Sequence, residues 1–198
     1  NSFFIMSKKK INDLGLDMSF FKPVLPSPRY LKTDLVESDD GGIPLIEPQC
    51  FLLDCKLTEQ EIMEQSPTIW EYLHSGIEKT SQKYLCKNRK KWYWQEHRDT
   101  TYFLCSYMGR RKYNESPIRF ILNLSEAIVT NSYLMLYPKE HLQKAISDNP
   151  KSIYRIWELL KSINGSDIEE EGRVYGGGLK KIEPRELAKV PCGDLMKL

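Results

Sequence analysis

The sequence lacks several patterns that would assign a chain at once to a broad class of protein. It has no run of about 18 apolar residues, so a membrane-spanning helix is excluded. Its five cysteines are an odd number and form no Cys-x-x-Cys pair, so we expect buried free thiols, with neither a zinc site nor a disulfide framework. Its three histidines lack the His-Glu-x-x-His pattern of metal-dependent hydrolases. We therefore expect a soluble globular protein without a metal of its own.

The N-terminus also lacks a targeting pattern. The opening NSFFIMSKKK places its basic residues after the apolar ones, the reverse of a secretory signal, so we expect a cytoplasmic protein that is not bound to a membrane. The chain begins without Met and passes directly into an apolar stretch, so we also expect a part of a longer protein whose missing neighbour holds the chemistry. The 198 residues, 40% of them hydrophobic, suffice for the core of one large or two small domains.

Positive charge is concentrated in one stretch, residues 83–112. It holds nine Lys and Arg residues against two acidic ones, a net charge of +7, whereas the whole chain carries +2 and the remainder therefore −5. Seven aromatic residues lie among these charges. Because Lys and Arg neutralise phosphates while rings stack on bases or sugars, this composition is typical of polyanion binding. A solvated face with rings turned toward a core is the alternative, and composition does not choose between them.

The first part of the chain is predicted to be extended and then acidic. Three prolines between residues 23 and 28 disfavour helix, so residues 1–33 are expected to form an extended lead-in. Residues 34–71 hold ten acids against one Lys, and Asp39-Asp40-Gly41-Gly42 is typical of a hairpin turn. Further on we expect a strand at residues 49–55, a helix started by a capping box at Thr58–Glu61, and another started by Ser66-Pro67.

The second part predicts a mixed α+β fold, with small, mostly antiparallel sheets and packed helices. Residues 101–107, 118–122 and 132–138 are ring-rich and β-branched, as strands of one mixed sheet would be. Strand alternation would place Ile118, Phe120 and Leu122 on one face and Arg119 on the other. Helices are expected from about residue 139 and from residue 150, followed by an acidic turn at 167–171 and a last short helix.

A glycine-rich segment, Tyr175-Gly176-Gly177-Gly178-Leu179-Lys180-Lys181, is the second distinctive feature. Three glycines permit positive φ and a close approach to a partner, and the lysines that follow could hold that partner's phosphates. The spacing matches neither GxxxxGK[ST] nor GxGxxG, so an ordinary turn remains open.

Several segments together resemble the C-terminal part of Type II adenine-specific DNA methyltransferases. In the order of that family they are LPSPRYLK (25–32), FLLDC (51–55), KKWYWQE (90–96), YFLCSYMGR (102–110), PIRFILNLSEAIVTNSYLMLYPK (117–139) and EGRVYGGGLKKIEPREL (171–187). Two motifs of the family are absent: the Phe-x-Gly-x-Gly loop that holds S-adenosylmethionine, and the Asn-Pro-Pro-Tyr that binds the flipped adenine. The nearest string, Asp148-Asn149-Pro150-Lys151, is explained by a helix cap.

The resemblance implies a domain that recognises the target and does not itself methylate. In that family a catalytic domain precedes the recognition domain. Residues 1–33 would then be the linker from the catalytic domain, and 34–198 the recognition domain, as one body or as subdomains at about 34–138 and 139–198. The fragment would carry no catalytic residue and no cofactor, whereas the parent enzyme would bind S-adenosylmethionine, with or without a fused restriction nuclease. The expected partners are double-stranded DNA and the N-terminal catalytic domain.

The resemblance and the charge map together nominate DNA-binding residues. Most cations would meet phosphates, and a few Arg, Asn or Gln side chains would read bases in the major groove. Trp92 and Tyr93 would pack on sugars or, equally, anchor a core. The candidates are Lys87, Arg89, Lys90, Lys91, Trp92, Tyr93, Gln95, Arg110, Arg111, Lys112, Asn114, Arg119, Tyr175, Gly176, Gly177, Gly178 and Lys180.

Three other functions are alternatives to DNA recognition. A self-contained hydrolase or nuclease would need a histidine or metal motif that is not seen. An interaction module would dock its basic patch on an acidic protein surface or on the acidic segment of a second copy. A single-stranded nucleic-acid binder would suit the mixture of rings and cations, although the RRM and KH signatures are absent.

Overall fold

Short strands and helices, some of them in consecutive runs of one kind, form the described part of the chain. The structure is a computed structural model that describes residues 2–110, 116–193 and 195. Within these residues the strands are β1 (Ile5–Ser7), β2 (Phe21–Val24), β3 (Leu35–Val36), β4 (Cys50–Leu53), β5 (Phe103–Ser106), β6 (Met108–Arg110), β7 (Phe120–Asn123), β8 (Tyr133–Leu136), β9 (Arg173–Tyr175) and β10 (Leu179–Lys181). The α-helices are α1 (Lys8–Asp13), α2 (Glu59–Gln65), α3 (Pro67–His74), α4 (Tyr84–Lys87), α5 (Glu140–Asp148), α6 (Ser152–Lys161), α7 (Gly165–Glu171) and α8 (Pro184–Leu187). None of these described helices is both long and apolar enough to cross a membrane.

The chain forms two compact units, and each is assembled from two separate stretches of sequence. Unit 1 comprises Asn1–Leu25 and Glu47–Asp99, and unit 2 comprises Pro26–Ile46 and Thr100–Leu198. The units therefore divide the chain at other positions than the boundaries expected from the sequence. The expected extended lead-in contains β1, α1 and β2, because its apolar residues Phe4, Ile11 and Phe21 are buried. The assignment of residues 34–198 to target recognition stays a prediction.

Unit 1 is built on an antiparallel sheet in the order β1-β4-β2. The central strand β4 alternates as a half-buried strand should, with Phe51 and Leu53 buried. The predicted capping box is confirmed: Glu61 N donates to Thr58 Oγ1 at 3.4 Å, and Thr58 N donates to Glu61 Oε2 at 2.7 Å. Helix α3 begins with Pro67 as predicted, and it buries Ile69 and Leu73.

Unit 2 contains a four-stranded mixed sheet in the order β3-β7-β5-β8. Strand β3 runs parallel to β7, and the other pairs are antiparallel. The predicted strand alternation is confirmed, since Ile118, Phe120 and Leu122 all belong to one buried core. Helix α6 packs on this sheet, and Trp157 Nε1 donates to the carbonyl oxygen of Phe120 at 3.0 Å. The α+β class predicted from the sequence is therefore confirmed.

A second sheet of unit 2 has the order β6-β10-β9 and is antiparallel throughout. Helix α7 precedes the strands β9 and β10 of this sheet, where the sequence led us to expect an acidic turn, so that prediction was wrong. The helix forms because the Asn164 side chain caps it by accepting from Ser166 N, and because Ile168 is buried in the core. The short helix predicted to follow the sheet is confirmed as α8.

Candidate nucleic-acid interface

The basic stretch 83–112 is divided between the two units, since unit 1 ends at Asp99. The described candidate residues therefore fall into two groups, one in each unit. Arg111, Lys112 and Asn114 lie outside the described residues. The candidates of unit 1 are Lys87, Arg89, Lys90, Lys91, Trp92, Tyr93 and Gln95, and those described in unit 2 are Arg110, Arg119, Tyr175, Gly176, Gly177, Gly178 and Lys180.

The lysines at and just after α4 form an exposed basic surface of unit 1, here called the α4 surface: Lys87, Lys90 and Lys91. Helix α4 is anchored by the buried side chain of Cys86. Lys87 and Lys90 make no ion pair with any residue that the structure describes, and the Lys90 ammonium lies 5.3 Å from the centre of the Trp94 ring. Lys91 Nζ lies 3.8 Å from Glu59 Oε1 in a solvent-exposed pair, which holds it weakly. Two lysines of this surface are therefore fully available to an anion.

The aromatic residues beside these lysines serve the core of unit 1. Tyr93 is only 1% exposed, and its hydroxyl donates to the carbonyl oxygen of Leu57 at 2.9 Å. Burial, with the nearby charge of Glu59, raises the pKa of Tyr93 to about 12. Trp92 packs 5.8 Å from Phe3 and 5.9 Å from Phe4, measured between ring centres. Of the two roles expected for Tyr93, the structure shows that of a core anchor, because an apolar core takes up the whole ring.

Arg89 and Gln95 stabilise the same segment through local contacts. The Arg89 guanidinium lies 5.5 Å from the centre of the Phe4 ring, and its Nη1 donates to the carbonyl oxygen of Trp92 at 3.4 Å. Gln95 Nε2 donates to the carbonyl oxygen of Tyr93 at 2.9 Å. Both side chains thus brace the loop that follows α4, and their roles as DNA contacts stay predictions.

The glycine-rich segment is the turn of a β-hairpin formed by β9 and β10 in unit 2. Gly177 and Gly178 have φ of 71° and 70°, the left-handed region that the sequence led us to expect. Arg110, on the neighbouring strand β6, donates from Nε to the carbonyl oxygen of Gly177 at 3.2 Å. Tyr175 and Arg110 both lie opposite Leu179 of β10, so they share one face of the sheet. Tyr175 is 45% exposed on that face.

The lysines that follow the glycines are paired with carboxylates. Lys180 Nζ lies 3.1 Å from Glu169 Oε2 of α7. Lys181 Nζ lies 2.8 Å from Glu183 Oε1, which also accepts from the Tyr107 hydroxyl at 2.7 Å. These hydrogen bonds raise the pKa of Lys181 and lower the pKa of Glu183, because each stabilises the charged form. The two lysines therefore fix the hairpin to its own unit and offer less charge to a ligand than the sequence suggested.

A cleft of about 560 Å³ lies in unit 2 and collects cations from four segments of the chain. Asp34 is the one carboxylate among the described residues that line it. Arg29 and Lys32, from the segment that the sequence led us to expect as a linker, make no ion pair with a described residue. Sequence reasoning missed them because the prolines around Arg29 indicated a tether. The described cations that line the cleft are Arg29, Lys32, Arg110, Arg119 and Lys161.

Arg119 is committed to the framework of this cleft. Its Nε donates to Asp34 Oδ1 at 2.7 Å, and its Nη2 lies 2.6 Å from the same oxygen. The other guanidinium bonds go to backbone carbonyl oxygens, those of Pro28 at 3.0 Å, Leu31 at 3.2 Å and Thr33 at 3.3 Å. Arg119 therefore holds residues 28–34 in place, and its predicted contact with DNA stays a prediction.

The described residues contain no group of three or more His, Cys, Asp or Glu side chains placed to hold a metal ion. Burial raises the pKa of the Cys105 thiol to about 12, which leaves it protonated and unreactive at neutral pH.

Comparison with known proteins shows the family. The whole chain, residues 1–198, matches the family model described as Type II methyltransferase M.Eco57I, C-terminal domain. It is 33% identical over 129 residues to the Type II methyltransferase M.XamI of Xanthomonas campestris pv. amaranthicola, covering 65% of this chain and 21% of that protein. It is 24% identical over 197 residues to the Type II methyltransferase M.AccI of Acinetobacter calcoaceticus, covering 98% of this chain and 34% of that protein.

The chain thus spans about a fifth to a third of the length of these relatives. The match over all 198 residues confirms the resemblance found in the sequence to the C-terminal part of Type II methyltransferases. The chain belongs to the family of the C-terminal domain of Type II methyltransferase M.Eco57I.

Proposed function

We propose that this domain binds duplex DNA and recognises the target sequence for an adenine-specific DNA methyltransferase of a cytoplasmic restriction-modification system. The family match over the whole chain is the observation that carries the proposal. The α4 surface supports it, since Lys87 and Lys90 are exposed and have no carboxylate partner among the described residues. When an exposed lysine without a partner meets a phosphate, it displaces counterions condensed on the DNA. Their release is the main source of non-specific affinity for DNA.

In this proposal the two units contribute different contacts. The lysines of the α4 surface meet phosphates and set the register of the protein on the duplex, which carries no sequence information. Arg110 and Tyr175, on one face of the hairpin sheet, are candidates for contacts with bases, because an arginine can pair with guanine O6 and N7 in the major groove. The glycine turn beside them has no side chain that would block a close approach.

Methylation itself belongs in this proposal to an N-terminal catalytic domain of the same polypeptide. That domain would hold S-adenosylmethionine and receive the adenine, since the chain has neither of the two family motifs for these tasks. The target amino group cannot be reached inside a duplex, so the base must be flipped at a cost of a few kcal/mol. Contacts made by the recognition domain would offset part of that cost.

The test is the salt dependence of duplex binding by this chain. Affinity for a random-sequence duplex is measured between 50 and 200 mM salt, with a single strand of the same sequence for comparison. We expect a steep fall of log affinity with log salt, and tighter binding to the duplex. Absent or salt-independent binding would contradict the proposal.

A double variant, Lys87→Gln with Lys90→Gln, tests the α4 surface. We expect the slope to become shallower by up to about 1.8, since each phosphate contact contributes about 0.9. The matched control, Lys8→Gln with Lys79→Gln, removes the same charge from exposed lysines of unit 1 and should leave the slope nearly unchanged. Equal slopes for the two double variants would contradict the role of the α4 surface.

A protein partner is the second candidate, and one observation favours it. Tyr84 and Leu85 of α4 are 79% and 69% exposed, and large exposed apolar side chains are typical of contacts between proteins. In this case the basic patch would dock an acidic protein surface. Salt-sensitive self-association without DNA, measured by analytical ultracentrifugation and abolished by Leu85→Ser, would support this candidate against the first.

A further inference from the structure

We propose that the cleft of unit 2 binds the sugar-phosphate backbone of one DNA strand, with Arg29 and Lys32 as the direct phosphate contacts. This inference rests on the proposed function and adds a second contact surface, outside the basic stretch of the sequence. The occupant is identified by its charge: five cations line the cleft, against the single carboxylate of Asp34 among the described residues.

Arg29 and Lys32 are the two cations of the cleft that make neither an ion pair nor a hydrogen bond with a described residue. Asp34 is already paired with Arg119, and Lys161 Nζ lies 2.8 Å from Glu158 Oε1. Arg110 uses its Nε on the Gly177 carbonyl oxygen. Arg29 and Lys32 are exposed and make no ion pair with the part of the chain that is described, and the Arg29 guanidinium lies 4.7 Å from the centre of the Tyr30 ring. An anion entering the cleft therefore meets two cations that no described carboxylate pairs with.

The backbone that carries these two cations is held in a fixed conformation. Pro28–Tyr30 forms one turn of 3₁₀ helix, in which proline fixes the first φ. The Arg119 guanidinium then bonds to the carbonyl oxygens on either side of Arg29 and Lys32, those of Pro28, Leu31 and Thr33. Arg119 is thus a positioning residue, and its bonds reduce the conformational freedom that the segment would otherwise lose on binding.

The shape of the cleft favours a strand of nucleic acid over the acidic surface of a protein. A volume of about 560 Å³ lies within the range of about 300–1,000 Å³ typical of pockets for small ligands, and it admits a nucleotide-sized part of a chain. Buried apolar residues, among them Ile118 and Phe120, line the cleft between the cations. A sugar has an apolar face that can rest on such residues while its phosphates reach the cations.

The experiment compares two double variants in the salt titration described above. Arg29→Gln with Lys32→Gln removes the two proposed contacts, and Lys139→Gln with Lys144→Gln removes the same charge from exposed lysines of unit 2 that do not line the cleft. We expect Arg29→Gln with Lys32→Gln to make the slope shallower by about 1.8. The ratio of wild-type affinity to variant affinity should then fall about twelvefold between 50 and 200 mM salt. The control pair should leave the slope unchanged.

The outcomes separate this inference from the proposed function. If the wild type binds with a steep slope and the Arg29→Gln/Lys32→Gln variant shows the same slope, this inference is overturned and the proposed function is kept. Loss of affinity confined to one duplex sequence would also overturn it, because phosphate contacts weaken all sequences alike. Binding of free dTMP to the wild-type chain, with duplex affinity unchanged in the double variant, would assign the cleft to a free nucleotide. Failure of the wild type to bind duplex would overturn both proposals. Equal melting temperatures of wild type and variants check that the fold is kept.

Discussion

Gly109 on β6 occupies a position where no other residue fits, and its substitution tests the packing around the cleft. A Cβ atom at Gly109 would lie 2.0 Å from the carbonyl oxygen of Pro117 and 3.0 Å from the carbonyl carbon. Ordinary contacts of a Cβ atom begin at about 3.4 Å, so one segment would have to move by more than 1 Å. The opposing atoms belong to the backbone and cannot rotate away, and Gly109 is also paired with Lys180 of β10.

We therefore expect Gly109→Ala to destabilise the chain by about 3 kcal/mol, the upper end of the usual cost of overpacking. For a chain of this length that corresponds to a fall in melting temperature of about 6–12 °C. Because β6 carries Arg110, affinity for duplex should fall as well. The measurement is thermal unfolding followed by circular dichroism.

Gly176→Ala is the matched control, since it makes the same change in the same hairpin sheet. No atom lies within 4 Å of a Cβ placed at Gly176, and its φ lies outside the left-handed region. We expect a change of less than about 0.5 kcal/mol, as for other surface substitutions. Equal melting temperatures for the two variants would refute the steric argument and, with it, the described contact between β6 and Pro117.

Two further substitutions in unit 1 separate stability from binding. Tyr93→Phe removes the bond to Leu57 O and should cost about 0.5–1.5 kcal/mol, while duplex affinity stays unchanged because the ring is buried; lost affinity at an unchanged melting temperature would contradict this. Asp54, whose side chain is 8% exposed, lies 2.9 Å from both Lys22 Nζ and Lys56 Nζ. Burial raises its pKa, but the two lysines outweigh that effect and lower it, so its contribution to stability is present above pH 3.8 and is lost as the pH falls further. Asp54→Asn should therefore unfold more easily at pH 7, by about 1.5–3 kcal/mol, and approach the wild type in urea unfolding as the pH falls below 3.8; a constant difference would contradict the linkage.

Local elements could be predicted from the sequence because their causes are local. The capping box at Thr58–Glu61 and the proline at the start of α3 each act within one turn of chain, and both are found in the structure. The strand alternation at residues 118–122 depends on a period of two, which the pleat imposes whatever the partner strand. Helix α7 was missed because its acidic residues obscured one apolar side chain, that of Ile168.

The arrangement of these elements depends on contacts between residues far apart in the chain. Leu35 pairs in parallel with Leu122, and Arg119 finds its carboxylate at Asp34. No periodicity connects positions about 85 residues apart, so the contact of the segment 26–46 with the second half of the chain could not be predicted. The burial of Tyr93 is of the same kind, since its partner Leu57 lies 36 residues away.

The availability of a cation, more than its place in a basic stretch, decides whether it can meet a phosphate. The net charge of +7 in residues 83–112 treats every Lys and Arg as equal. The fold distinguishes them: Lys180 and Lys181 are paired with carboxylates, whereas Lys87 and Arg29 have no carboxylate partner among the described residues. Arg29 lies outside the basic stretch, in a segment that composition had marked as a linker. A cation that is already paired with a carboxylate must give up that partner before it can displace counterions from a DNA phosphate, so it contributes less to the salt slope of binding. The slope therefore counts those unpaired cations that meet the duplex, and the proposed ones occur in both units.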